Sequence, residues 1–354
     1  MGTRQLGKSG IQISSIGFGC MSLATDASVS VPMLHQAFET GITFFDTADL
    51  YHQGRNEELV GEAFAGMRHE VVIATKVGNR FEPGKPGWQW DPSPAYIEQA
   101  ITASLRRLRT DYIDLYQLHG GTMDDPFDDI VETLDRLKQK GWIRAYGISS
   151  IRPNVIRRYL QGSQIDTVMM QYSLLDRRPE EWFPEIKEYG VSVIARGPVA
   201  RGWLTGHKDV NDDTYLKWSA ADLKRAIAML REVAPERTPG QAALAFALSP
   251  EVIACAIPGA STPQQLAENA EASKRPGLTE DALVQLKQAF PAALYQEHLA
   301  ALRCFPLRSI PGGSSSCIRQ VADESIATPP ASVISILAAK VGVARFFTKT
   351  DCPL

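Results

Sequence analysis

Eight short apolar runs recur through the first three-quarters of the chain, and they restrict its fold more than any other feature. They lie at Ile16–Gly19, Ile42–Phe45, Val71–Thr75, Ile113–Leu118, Ile143–Ile148, Thr167–Met170, Val191–Ala195 and Val252–Ile257. A continuous apolar run of this length, without polar alternation, reads as a strand buried on both faces, as in a parallel sheet. Between the runs lie longer segments with helical spacing, at 31–40, 56–66, 94–108, 127–139, 153–160, 180–189 and 239–249, with 263–273 after the last run. Ser93-Pro94, Asp125-Pro126 and Thr262-Pro263 each set a capping side chain before a proline suited to a first helical turn. Thr262 with Gln265 also fits a capping box. Eight strands alternating with eight helices predict an α/β fold of the closed (β/α)8 TIM-barrel kind. A doubly wound open sheet is the rival, but Gly17-Phe18-Gly19-Cys20 leads into no Gly-rich phosphate turn. Ahead of the barrel, pieces around Arg4–Leu6 and Ile11–Ile13, joined by Lys8-Ser9-Gly10, predict an N-terminal β-hairpin.

The residues at the strand ends carry the chemistry. They are Asp46, Lys76, His119, Ser149, Gln171, Arg196 and, after the eighth run, Pro258-Gly259. In a barrel these ends converge on one face, where the active sites of such enzymes lie. Asp46 follows a run of apolar residues and Tyr51 comes five positions later. Carboxylates seldom sit at the edge of a core without a partner. Taken singly each residue has a plainer reading: Asp46 as a turn cap, Tyr51 as packing, Lys76 as surface, His119 as a hydrogen-bonded core histidine. Placed at one rim they suit proton donation to a carbonyl that receives a hydride. On that reading the Lys76 ammonium lowers the phenol's pKa from its free value of about 10. Asp46 fixes the lysine, and His119 orients the substrate oxygen.

The stretches Asp46-Thr47-Ala48-Asp49-Leu50-Tyr51, Ile73-Ala74-Thr75-Lys76, Gly147-Ile148-Ser149-Ser150 and, above all, residues 105–119 (LRRLRTDYIDLYQLH) resemble the aldo-keto reductase family. The resemblance runs from about residue 3 to about residue 297. It implies NADPH-dependent reduction of aldehydes and ketones to alcohols, with Tyr51 as general acid, Lys76 and Asp46 as its tuning pair and His119 as the orienting group. Ser149 and Gln171 match residues that hold the nicotinamide amide in the family, and Ser150 stands where many members have Asn. Arg196-Gly197-Pro198-Val199-Ala200-Arg201-Gly202 is similar to the family's loop over the nicotinamide and pyrophosphate, with Arg196 where many relatives have an aromatic residue. Gly259, Ser261, Gln265, Glu268 and Asn269 match the adenosine end, in the manner of members that hold NADPH with Ser and Gln, among them the potassium-channel β subunits. Gln265 is shared there between cap and ligand. Gly19, Cys20, Met21 and Asp46 complete the implied cofactor contacts.

A net charge of -3 gives no reason to expect nucleic acid. The N-terminus lacks a signal peptide's apolar core, and no run approaches the roughly 20 residues of a membrane span. Five widely spaced cysteines, without a C-x-x-C pair, suggest neither a zinc site nor a disulfide framework. A reduced, cytoplasmic protein is expected, with a small carbonyl substrate and an oligomeric state that the sequence leaves open. Metal-assisted hydrolysis has too few clustered ligands at the strand ends. An NADPH-binding redox-sensor module with little turnover is the rival outside catalysis. Residues 1–300 form the expected barrel. Residues 301–354, with Pro311-Gly312-Gly313 and Ser314-Ser315-Ser316, read as a flexible extension outside it. The substrate loops at 78–91, 120–125 and 203–218 do not identify the substrate.

Overall fold

A computed structural model describes residues 1–82 and 84–298. The expectation for residues 301–354 therefore lies outside the described residues. The strands run in chain order as β1 (Thr3–Gln5), β2 (Gln12–Ser14), β3 (Phe18–Gly19), β4 (Phe44–Asp46), β5 (Val72–Val77), β6 (Asn79–Arg80), β7 (Gln89–Trp90), β8 (Ile113–Leu118), β9 (Ile143–Ser149), β10 (Thr167–Gln171), β11 (Ser192–Arg196) and β12 (Ile253–Ile257). Eight of them, β3, β4, β5 and β8 to β12, pair in parallel in that order. A parallel bridge between Ile16 and Ala256 joins the first to the last. It is held by Gly17 N–H to the Ala256 carbonyl (2.9 Å) and Ala256 N–H to the Ser15 carbonyl (3.0 Å). The sheet is therefore the expected (β/α)8 barrel. The expected hairpin is β1 against β2, and β6 with β7 form a second one inside the 78–91 loop.

The helices are α1 (Ala27–Glu39), α2 (Arg55–Phe64), α3 (Pro94–Arg107), α4 (Phe127–Gln139), α5 (Pro153–Gly162), α6 (Phe183–Glu188), α7 (Ala220–Val233), α8 (Pro239–Ala247), α9 (Pro263–Ala272) and α10 (Glu280–Ala289). Two go beyond the expected set, α7 and α10. The signal for α7 is present in the sequence: a Ser219/Asp222 capping box and a buried stripe of Leu223, Ala226, Ile227 and Leu230. Ser93 and Thr262 cap α3 and α9 as expected. Asp125 does not cap α4. Its carboxylate turns into the preceding loop, where it accepts from Thr122 N–H (2.6 Å), Thr122 Oγ1 (2.7 Å) and Trp90 Nε1 (2.8 Å), tying that loop to the β6–β7 hairpin.

Two buried clusters follow from the period-2 alternation of strands. Phe44, Val72, Ala74, Leu115, Ala145, Met169 and Ile194 fill the barrel with the hairpin residues Leu6, Ile11 and Ile13. Phe45, Ile73, Tyr116, Tyr146 and Val168 point out against the helices. Adding two to each interior position reaches Asp46, Lys76, Gln117 and, after one more step, His119. The same count reaches Gln171 and Arg196 on the later strands, and a second step of two from Ala145 reaches Ser149. The alternation that packs the core therefore turns these polar side chains into the barrel mouth.

Candidate active site

At that mouth the lysine is the hub. Lys76 Nζ donates to Asp46 Oδ2 at 2.7 Å, to the Thr47 carbonyl at 2.7 Å and to Tyr51 Oη at 3.3 Å. Both charged partners are buried, with 1% exposure for Lys76 and 3% for Asp46. Such a pair persists only because each group compensates the other's lost hydration. Tyr51 opens a short helical turn after β4, and the chain leaves that turn through His52 and Gln53 at positive φ and Gly54. Gln53 fixes this turn by accepting from Gly84 N–H (3.1 Å) and donating to the Lys85 carbonyl (3.0 Å). His119 follows β8 and meets Tyr51 edge to face, with ring centroids 6.0 Å apart.

Burial dominates the protonation states. It pulls Lys76 down, but Asp46 and Tyr51 together outweigh it and hold the ammonium above its ordinary value. It pushes Asp46 up against the opposing pull of Lys76. It also raises Tyr51, and Lys76 only partly offsets that rise. The expectation that the lysine brings the phenol below its free value is thus corrected. A phenolate at this half-buried position costs more than one ammonium returns, so the phenol keeps its proton. Burial, reinforced by the Lys76 and Arg196 cations, lowers His119 to about 3. The ring is neutral at pH 7, and its Nδ1 has no hydrogen-bond partner among the described residues.

This has a measurable consequence. Because the folded value of His119 lies below its unfolded one, the unfolded chain binds the extra proton and stability falls as pH drops from about 6.5 toward 3. Between pH 7 and 5 this group alone removes about 2 kcal/mol. His119→Gln is expected to lose several °C less in Tm over that interval than the wild type, measured without ligand. An equal loss would show that His119 is not held neutral in its half-buried place.

The other expected site residues form two groups. Ser149 and Ser150 are buried at the end of β9, and Ser150 N–H reaches the Met169 carbonyl at 3.0 Å. Gln171 and Arg196 are register partners, and Gly197 lies against the Gln171 side chain. Val199, Ala200, Arg201 and Gly202 continue as a tight turn in which the last three have positive φ. Across the mouth, Gly19 N–H meets the Pro258 carbonyl at 3.2 Å. Ser22 Oγ bridges the Gly19 carbonyl and Ala260, and a Cβ on Gly259 would come within 2.9 Å of it. Asn269 Nδ2 donates to the Gly259 carbonyl at 3.2 Å and completes this second group. Cys20 is fully buried and Met21 is 56% exposed, so only the latter's side chain faces solvent.

The capping box at α9 is only half formed. Thr262 Oγ1 accepts from Gln265 N–H (3.2 Å), but the Gln265 side chain accepts from Ser261 N–H (2.8 Å) rather than closing on Thr262. Gln265 is exposed, and its Nε2 is a donor not used in that contact. Glu268 is bound to His207 Nε2 (2.9 Å) and to Thr238 Oγ1. Sequence reasoning missed the Thr47 carbonyl as a lysine acceptor, because a backbone group has no residue signature. It also missed Tyr215, whose hydroxyl meets Gln171 Nε2 at 2.8 Å from 44 residues away.

Known proteins match this chain closely. The Aldo/keto reductase family model matches residues 15–290. The uncharacterized oxidoreductase YqkF of Bacillus subtilis (strain 168) is 47% identical over 304 residues, covering 84% of this chain and 99% of that protein. The holo form of aldo-keto reductase AKR11C1 from Bacillus halodurans superposes with a TM-score of 0.81 at 52% identity, covering 84% of this chain and 99% of that one. An aldo/keto reductase from Klebsiella pneumoniae, solved with NADP and acetate, gives a TM-score of 0.69 at 26% identity, covering 85% of this chain and 100% of that one.

Proposed function

Because the chain belongs to the aldo/keto reductase family, we propose that it reduces aldehydes and ketones to alcohols with NADPH, using Tyr51 as the proton donor. The observation that carries this reading is the Asp46–Lys76–Tyr51 chain at the barrel mouth, a buried ion pair leading to a half-buried, protonated phenol at its outer end. NADPH, when bound, supplies the hydride. Tyr51 Oη gives its proton to the carbonyl oxygen as negative charge grows there, and the Lys76 ammonium stabilises the phenolate left behind. Neutral His119 donates one N–H to the same oxygen and orients it. The residues present fit the cofactor. The buried Ser149, the Gln171 amide and the Gly197 approach offer polar contacts and room beside the tetrad, while the α9 N-terminus offers N–H groups and a positive dipole end to a phosphate. The holo and NADP-bound relatives support this assignment. Consumption of NADPH, followed by absorbance across a panel of aldehydes and ketones, tests the reading. No turnover with any of them overturns it.

A preference for NADPH over NADH follows from the same end of the site. Ser261 and the Nε2 of exposed Gln265 offer hydrogen bonds to a 2′-phosphate without a neighbouring Lys or Arg in the 257–269 stretch. The preference is expected to be moderate, on the order of 1–3 kcal/mol. Gln265→Ala is expected to narrow the ratio of kcat/KM values for the two cofactors. Equal wild-type values, or a ratio unmoved by the substitution, would remove the assignment.

A further inference from the structure

The β11–α7 connection carries one buried polar side chain to the cofactor side of the mouth. Tyr215 is 5% exposed, and its hydroxyl lies 2.8 Å from Gln171 Nε2. The turn that delivers it is rigid. Tyr215 and Trp218 exchange both backbone hydrogen bonds, at 3.0 and 2.9 Å, around Leu216, which holds φ at 53°. Trp218 in turn donates from Nε1 to the Leu175 carbonyl at 2.7 Å and packs edge to face on Phe290, centroids 5.5 Å apart. Gly197 also neighbours Gln171: a Cβ added there would stand 3.7 Å from the Gln171 Cγ and 3.9 Å from its Nε2, in ordinary contact.

An amide side chain has two faces of opposite polarity, and its terminal torsion is soft. With Nε2 donating to the phenol oxygen, Oε1 is the amide atom left to accept from a ligand. We infer that Tyr215 is a positioning residue that orients Gln171 Oε1 toward the amino group of the nicotinamide carboxamide. This rests on the reading of the site as a nicotinamide-dependent reductase. The 203–218 loop thereby contributes to the placement of the reacting ring.

The test compares NADPH with its 3-acetylpyridine analogue, which has a methyl group in place of the carboxamide nitrogen and cannot donate to Gln171. Tyr215→Phe keeps the ring and its packing, and thermal melting checks that the fold is intact. With NADPH, kcat/KM is expected to fall about tenfold, the value of one orienting hydrogen bond. With the analogue it is expected to fall less than about twofold, since there is no amide to orient. In a Gln171→Leu background, Tyr215→Phe is expected to add nothing further. Equal losses with the two cofactors, no loss with NADPH, or additive losses in the double variant each overturn the inference. Binding of both nucleotides by quenching of tryptophan fluorescence separates the two levels. A wild type that binds neither refutes the nicotinamide reading itself, whereas one that binds both while Tyr215→Phe weakens both equally refutes only the role of Tyr215.

Discussion

Tyr51→Phe is expected to cut carbonyl reduction by about 10²–10⁴-fold, the range that a positioned general acid contributes. The substitution removes one oxygen and leaves the ring, so its edge contact with His119 and the packing of the turn persist. The Lys76–Asp46 pair keeps its 2.7 Å contact and its second acceptor at the Thr47 carbonyl. Affinity for NADPH is therefore expected to change little, and the loss appears in kcat with the cofactor saturating. A variant that retains more than about a tenth of wild-type turnover, less than a general acid's contribution, would mean that the proton comes from elsewhere.

Lys76→Met is expected to cost a comparable factor, for a different reason. The phenol remains able to donate, but the phenolate it leaves loses the ammonium bonded to it. Burial already raises Tyr51, and removal of the ammonium takes away the largest effect opposing that rise. A second effect separates the two variants. Removing Lys76 strands a buried carboxylate at 3% exposure, and breaking a buried pair by one partner costs about 3–5 kcal/mol. Asp46 meets that cost in part by taking up a proton. Lys76→Met is thus expected to lower both kcat and Tm, whereas Tyr51→Phe lowers kcat with Tm nearly unchanged. The double variant Asp46→Asn, Lys76→Met recovers Tm relative to Lys76→Met and leaves turnover low. Full turnover in Lys76→Met would refute the tuning role.

Much of this is legible along the chain. The eight apolar runs specify parallel strands because both faces of such a sheet are buried, and each of the eight appears in the barrel within a residue or two. Strand alternation is local, so the order of residues alone sends Asp46, Lys76, His119, Ser149, Gln171 and Arg196 toward one mouth. What the tertiary structure decided are quantities that depend on surroundings. The phenol's protonation turns on how deeply Tyr51 is buried, a sum over neighbours from several strands, and it reverses the direction expected from Lys76 alone. Asp125 reads as a cap beside Pro126, yet Trp90 and Thr122 offer its carboxylate better donors once the loops meet. Gln265 closes on Ser261 rather than Thr262 for a similar reason, since several donors compete at a helix start. Tyr215 has no local signal at all: its partner is 44 residues away, and only the pairing of β10 with β11 and the path of the loop after β11 bring the two together. Periodicity is a property of neighbours in sequence, whereas solvation and hydrogen-bond choice are properties of neighbours in space.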